Sequence, residues 1–520
     1  MKFSIYKKIA SLTLTALLAA TVSCNEELLE QTNPNALTPS TFWRNAEDAT
    51  KGIIGAYSPF TDIWYYSRMH IFVSDYRDDI VNGFATSDRT NPGRFAGTSD
   101  QNAVLWVWSA IWKSISRTNE VLANVPEIEM DEGLKNNILG EAYFLRAYNY
   151  FELLKNWLNV PLITEPVTSI EESSTVSQAS PEQVWEQVIA DLKQAQSLLP
   201  ESWDGGNLGR ATTGSATALL GKAYLFTEEY DQASMEFQKI ISSSQYSLVV
   251  DYADNFSAFT ENNQESLFEV QFIADENRGW GGDAAGIGRT NSFTPDIAPP
   301  PAFTGQDGMR INNWVLDLFL DERTVDGQID PRAFITLFWD TEEITVYEGD
   351  TLAATIYDGK TFQEVFPGDE RVFGKKYLEI DQGFSTANFQ QSSANLRLIR
   401  YADVLLMFAE AEMMANGGSA TQEAVDAVNQ VRSRVNMPPL DMSMSIQDIR
   451  DERVKELALE RVRYYDLLRW DMVKEKIVDT PGIKSESGGT GLYQPGREYL
   501  DLPQNELNNN SNLKHNPGYN

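Results

Sequence analysis

The sequence predicts a mainly α protein in which four helical hairpins of tetratricopeptide type form a scaffold packed against a loop-rich region with short strands. Three observations lead there. Apolar residues recur at helical spacing over 102–124, 132–158, 181–199, 211–243, 400–436 and 446–476. Within 217–240, Leu220, Gly221, Tyr224, Ala233 and Phe237 follow the L-G-x-x-Y…A-x-x-x-F order of a repeat hairpin. In that order the small residues let two helices approach while the aromatic rings fill the groove between them. Between about 244 and 398 the pattern changes to short β-branched or aromatic runs, many glycines and the block Pro299-Pro300-Pro301.

Residues 1–23 place Lys2, Lys7 and Lys8 ahead of an apolar run over 9–22. This is the make-up of a signal peptide, and the run is too short to span a bilayer as a stable helix. Cys24 follows directly and is the only cysteine of the 520 residues. A bacterial lipoprotein precursor is cut and lipidated at such a position. Thr21 stands where an aliphatic residue is usual, so an ordinary secretory leader is the competing reading. A diacylglycerol thioether with an N-acyl chain anchors stably, whereas one chain binds only marginally. Residues 24–40, with Asn25-Glu26-Glu27 and a polar Pro-containing stretch, read as a flexible tether, and 41–520 as a single domain.

The helical scaffold is expected over about 102–243 and 400–476. Pro181 opens one helix, because its missing N–H is harmless in the first turn, and Pro200 closes it. The stretch 401–435 turns at Gly417-Gly418, and together with helices near 141 and 185 it repeats the hairpin pattern more loosely. Stacked pairs of this kind make a curved scaffold. In the middle region strands are expected at 266–273 and 343–347, and 480–520 reads as irregular.

Composition narrows the chemistry. With Cys24 acylated no thiol is left for disulfides, thiolate metal sites or cysteine catalysis. His70 and His515 are the only histidines, which leaves little for a zinc site or a histidine base. Asp and Glu number 75, so a glycosidase working through two carboxylates stays open. The formal charge is −33, and −36 once 1–23, with three lysines and no acids, is removed. Such a field repels nucleic acid and anionic surfaces and fits a neutral ligand, a cation or a basic partner. No second apolar run reaches membrane-spanning length, so the lipid is the only expected membrane attachment.

Several segments together resemble the SusD/RagB family, the surface glycan-binding lipoproteins of nutrient-uptake systems. Leu396-Arg397-Leu398-Ile399-Arg400-Tyr401-Ala402-Asp403-Val404-Leu405-Leu406-Met407-Phe408-Ala409-Glu410-Ala411 is similar to the family's R-x-A-D-V-L-L-x-x-A-E-A helix. Ile449-Arg450-Asp451-Glu452-Arg453-Val454-Lys455-Glu456-Leu457, continuing through Glu460 to Asp466-Leu467-Leu468-Arg469-Trp470, looks like its E-R-x-x-E-L…R-x-x-D-L-x-R-W segment. The run from Gly140 to Ala147, the W-x-x-x-W-x-x-I-x-x-x-N spacing from Trp108 to Asn119, and the tail with Leu502-Pro503-Gln504 and Asn516-Pro517-Gly518-Tyr519 complete the set. In physical terms Glu452, Arg453, Glu456, Glu460, Arg461 and Arg463 place opposite charges three and four apart, as exposed pairs worth tenths of a kcal/mol each would be, and their expected job is docking helices, not chemistry. Arg146, Arg400 and Asp403 are expected to bridge hairpins.

The resemblance implies a SusD-like fold and a non-enzymatic receptor, lipid-anchored on the outer membrane and facing the cell exterior. It also implies a SusC-like TonB-dependent barrel transporter as partner, to which captured poly- or oligosaccharide is delivered. It implies ligand loops at about 58–101 and 244–398. Sugar sites need exposed aromatic platforms flanked by polar groups, and these loops offer Asp62, Trp64, Tyr65, Asp78, Asp88, Trp280 and Trp339 as candidates, with Trp106 at the end of the first loop on a different helix face from Trp108, and Trp314 behind them. Trp280 stands in Asn277-Arg278-Gly279-Trp280-Gly281-Gly282-Asp283, where few side chains are available to bury it. Asp75, Asp78 and Asp79 form the one cluster suited to calcium, the only cofactor entertained. Competing readings are a peptide receptor of the RagB branch, a two-carboxylate glycoside hydrolase and a helical-repeat adaptor without a ligand.

Overall fold

The computed structural model describes residues 42–83, 90–273, 289–297, 309–356, 359–378, 392–485 and 488–519. Helix boundaries follow local signals. α1 (Ala46–Tyr57) starts at Asn45, whose side chain accepts the Asp48 N–H, and carries Glu47 and Asp48 in its first turn, where carboxylates meet the positive end of the helix. α2 (Asn102–Asn124) and α3 (Glu132–Trp157) follow, the latter capped by Asp131. α4 (Pro181–Leu198) opens with a Ser180/Gln183 capping box and Pro181 in its first turn. Thr212 and Ser215 form the same box for α5 (Thr213–Phe226), and α6 (Tyr230–Ser243) comes next. After α7 (Asn313–Leu320), the chain forms α8 (Tyr401–Ala415), α9 (Gln422–Arg434), α10 (Ile446–Leu457) and α11 (Arg463–Arg469).

These helices pack as four hairpins, α1/α2, α3/α4, α5/α6 and α8/α9, and each hairpin lies against the next. The repeat-spaced residues explain the closeness of α5 and α6. A Cβ at Gly221 would stand 2.6 Å from the Phe237 ring, and Leu220, Ala233 and Phe237 are fully buried. α1 is the element the periodicity did not reveal, because it is only twelve residues long and holds two poor helix formers, Gly52 and Gly55.

Residues 244–400 are inserted between α6 and α8, which nevertheless touch each other. β1 (Ser266–Val270) closes this insertion by pairing antiparallel with β9 (Leu396–Arg400), directly before α8. β2 (Arg310–Ile311) and β3 (Leu337–Phe338) flank β8 (Val372–Gly374). β4 (Ile344–Tyr347) and β5 (Asp350–Ala353) form a hairpin, as do β6 (Thr355–Ile356) and β7 (Lys360–Thr361). The two strands expected from sequence are present; β1 meets its partner far along the chain, Ser266 opposite Arg400, whereas β4 pairs with the adjacent β5.

Two expectations are corrected by buried charge. The pattern over 446–476 is not continuous helix: α10 ends at Leu457, and Leu459 and Arg461 take a φ of 65° before α11 begins. The charged residues of this segment are buried and pair with distant partners, not along one helix face. Glu452 meets Arg332 and Arg432 at 2.6 and 2.8 Å. Glu460 meets Arg400 and Lys376 at 2.7 and 2.9 Å. Arg453 bridges Asp403 and Asp466 at 2.8 Å each. A left-handed backbone at 459 and 461 turns successive side chains to these partners, a stronger demand than helix continuity. Bridging between hairpins holds for Arg146, which donates from α3 to Asn119 on α2 at 3.1 Å, and for Asp403, which accepts on α8 from Lys222 on α5 at 3.2 Å; Arg400, at the end of β9, instead pairs with Glu265, Glu456 and Glu460 outside the hairpins.

Candidate functional site

From α1 the chain passes through the turn Ser58–Thr61 and folds back over α2. Asp62 fixes this return. Its Oδ1 accepts the Trp64 N–H at 3.0 Å, its carbonyl accepts the Tyr65 N–H at 2.9 Å, and its Oδ2 lies 3.7 Å from Lys113 Nζ on α2. Trp64 is thereby laid onto Trp106 of the same helix, ring centroids 4.1 Å apart and planes at 44°. Both indoles are half-buried, and Lys113 is exposed two turns further along α2. The structure therefore joins two residues 42 positions apart into one aromatic surface beside a carboxylate and an ammonium. Such a surface meets the apolar C–H face of a sugar by area and its hydroxyls by polar contact.

The remaining predicted residues lie elsewhere, for identifiable reasons. Tyr65 is in the core, its ring 4.2 Å from Tyr66 and its hydroxyl 3.4 Å from Asn149 Oδ1. Asp62 is itself buried, which makes it a positioning residue for Trp64 and not a platform. Trp339 is buried against Phe334 at 5.0 Å. Asp78 is fully buried and accepts the N–H groups of Ile80 and Val81 at 2.9 Å each; burial, then the nearby Asp75, pushes its carboxyl well up. Asp75 accepts the Arg461 N–H at 2.9 Å and is pushed up to about 6 by burial. Asp79 is held bidentately by Arg463 at 2.8 Å. The calcium cluster therefore divides among three separate partners, and among the described residues no group of three acidic, His or Cys side chains is arranged for a metal ion. Cys24, Asp88 and Trp280 lie outside the described residues.

A cleft of about 520 Å³ opens beside Trp314, lined by Asn82, Asn313, Trp314, Thr480 and Pro481 among others. The Trp314 Nε1–H donates to the Asp79 carbonyl at 2.9 Å, which fixes the indole at the cleft edge. Asn312, also lining the cleft, donates to the same Asp79 carbonyl and to that of Ile483 at 2.8 and 3.0 Å, which ties the segments near 80, 312 and 483 together. Sequence reasoning ranked Trp314 low. Its cleft is assembled from residues near 80, 313, 371 and 481, and no local signal joins them.

The histidines are engaged in structure. His70 is buried and meets Glu152 at 3.0 Å, and burial pushes its imidazole down to about 4. His515 Nδ1 lies 2.6 Å from Asp501 Oδ2. Among the described residues no helix is long and apolar enough to cross a membrane.

A family model for the SusD family matches residues 264–519, and one described as starch-binding associating with outer membrane matches 27–225. SusD-like protein P2 of Formosa agariphila is 28% identical over 539 aligned positions, covering 98% of this chain and 99% of that protein. The crystal structure of a SusD superfamily protein from Bacteroides vulgatus superposes with a TM-score of 0.78 at 25% identity, covering 92% of this chain and 100% of the other. A laminarin-binding SusD-like protein superposes with a TM-score of 0.73 at 26% identity, with the same coverage. The four-hairpin scaffold, the insertion between α6 and α8, and likeness along nearly the whole length agree, and the chain belongs to the SusD family, a carbohydrate-binding group associated with the outer membrane.

Proposed function

We propose that the protein is a non-enzymatic receptor, lipid-anchored through Cys24 on the outer face of the outer membrane, which captures a poly- or oligosaccharide and passes it to a SusC-like TonB-dependent transporter. The observation that carries the reading is the Trp64–Trp106 pair, two half-buried indoles held 4.1 Å apart at the surface by the Asp62 turn. Sugar stacks on such a surface without a reacting group, and the two carboxyls pushed furthest up by burial, Asp75 and Asp78, lie inside the fold and not on that surface. The charge of −36 that remains once residues 1–23 are removed favours a neutral glycan over a polyanion. The laminarin-binding neighbour makes laminarin the first glycan to try.

The test is affinity gel electrophoresis of a soluble form starting after Cys24, run against neutral and acidic polysaccharides, with a peptide pool assayed in parallel. Retardation by a neutral polysaccharide, with no new reducing ends released, is the expected result. Retention of peptides and of no polysaccharide would replace the glycan by a peptide ligand. Release of reducing ends by the pure protein would make it a hydrolase. Delivery is tested by pull-down from detergent-solubilised outer membranes, where a β-barrel transporter is the expected companion.

A further inference from the structure

The connection between α4 and α5 holds another aromatic cleft. Trp203 donates its Nε1–H to the Ala211 carbonyl at 2.7 Å, and the Arg210 guanidinium lies 4.2 Å over its ring. Arg210 is itself fixed. Its Nε donates to Glu141 Oε2 at 2.8 Å, its Nη2 pairs with Glu141 Oε1, and its Nη1 donates to Asn207 at 2.9 Å. Glu141 is fully buried on α3 and also accepts the Tyr57 O–H at 2.8 Å. An indole tied at its N–H and over one face has little conformational entropy left to lose on meeting a ligand.

The cleft beside it has a volume of about 360 Å³ and is lined by Trp203, Leu208, Gln245, Tyr246, Asn262 and Gln264, among others. Two more of its lining residues, Asn262 and Gly209, are held in place by Gln271. The side-chain amides of Asn262 and Gln271 bond each other reciprocally at 2.9 and 3.0 Å. Gly209, at φ +86°, packs onto Gln271 so closely that a Cβ would fall 2.2 Å from the amide carbon. That approach requires glycine on both counts.

The charge around the cleft selects the ligand class. Among its described lining residues the one cation, Arg210, is neutralised by Glu141, Glu269 is buried against Arg397, and Glu201 is the exposed charge. Anions are therefore disfavoured. Aromatic rings supply area for an apolar sugar face, and carboxamides supply both donors and acceptors for hydroxyls. The geometry points to a second carbohydrate subsite at Trp203, taking a neutral sugar ring and separate from the Trp64–Trp106 pair. It rests on the reading of the protein as a glycan receptor. The two sites share one frame: Tyr57, whose hydroxyl joins Glu141 to the Ala211 N–H, closes α1, and the chain runs from there into Trp64. A glycan long enough to engage both gains avidity over a short one.

The test uses the full chain in detergent, labelled with 5-fluorotryptophan, with laminarin, soluble starch and galactomannan as probes. The Trp203 fluorine signal is assigned from Trp203→Phe. The expected result is that a glycan which binds moves the Trp203 signal, and moves it still in the Trp64→Ala/Trp106→Ala variant. Gln245→Ala/Gln264→Ala, both at exposed side chains, should weaken that response about tenfold without altering the other tryptophan signals. A glycan that moves the Trp64 and Trp106 signals but leaves Trp203 unmoved overturns the second subsite and leaves the receptor reading standing. If none of the three probes moves any tryptophan signal, both are overturned.

Discussion

Glu456→Gln should cost the protein several degrees of thermal stability although it deletes only one charge. Glu456 is fully buried on α10, and its carboxylate meets Arg332 at 2.9 Å, Arg400 at 2.5 Å, and Arg434. Burial alone would raise its pKa, but Arg434, Arg400 and Arg332 together hold it well below the ordinary carboxylate range. The amide has nearly the same shape and leaves these guanidiniums short of one buried countercharge. Breaking a buried ion pair from one side costs about 3–5 kcal/mol. Unfolding entropy of about 2.1 cal/mol/K per residue gives about 1 kcal/mol/K for a domain of about 480 residues, so Tm should fall by about 3–5 °C. Differential scanning calorimetry reads this directly, with Lys51→Met as the control. Lys51 pairs with Glu47 at 2.6 Å on the exposed face of α1, and its loss should leave Tm unchanged. Equal Tm values for Glu456→Gln and Lys51→Met would refute the view that this carboxylate ties the inserted region, through Arg332, to the helical scaffold.

Other expected outcomes follow from the same packing. Gly221→Val drives a side chain into the Phe237 ring and should cost about 1–3 kcal/mol in urea denaturation, whereas Gly55→Ala, where a Cβ meets nothing within 4 Å, should be neutral or stabilising. His70 sits at about 4 in the folded protein because of burial, against about 6.5 when unfolded. The folded state then binds fewer protons between these values, so stability should fall by about 3 kcal/mol as pH drops from about 6.5 to about 4. A flatter slope in that window for His70→Gln, measured by chemical denaturation at a series of pH values, checks the assignment. Millimolar calcium should leave Tm unchanged, because Asp75, Asp78 and Asp79 are buried and no group of three acidic side chains among the described residues is arranged for a metal ion.

The scaffold was readable in the sequence because it is written locally. Gly221, Ala233 and Phe237 stand at fixed spacing, Pro181 marks a helix start, and a turn at Gly417-Gly418 separates α8 from α9. α1 escaped because it is only twelve residues long and its two glycines, Gly52 and Gly55, are poor helix formers. The charged run from Glu452 to Arg463 was legible as helix-docking but not as buried, since its partners Arg332, Arg400, Arg432 and Asp79 are supplied from 20 to 384 positions away. The candidate site divides along the same line. Trp64 was legible as a loop aromatic and Trp106 as a helix residue off the Trp108 face; that they form one surface depends on the Asp62 turn, which periodicity does not encode. Tyr65 neighbours Trp64 in sequence and faces the opposite way into the core. Trp203 drew no notice, since its cleft needs Gly209, Asn262 and Gln271 brought together by the fold.

The most direct test of the receptor account is isothermal titration of the wild type and of Trp64→Ala/Trp106→Ala with the polysaccharide that retards the protein, alongside a reducing-end assay. The account predicts that the wild type binds without releasing product, and that the double variant, still folded by circular dichroism, loses at least about 1–3 kcal/mol of binding, or roughly 5- to 150-fold in Kd. Unchanged affinity in the double variant, or sugar released by the wild type, would contradict it.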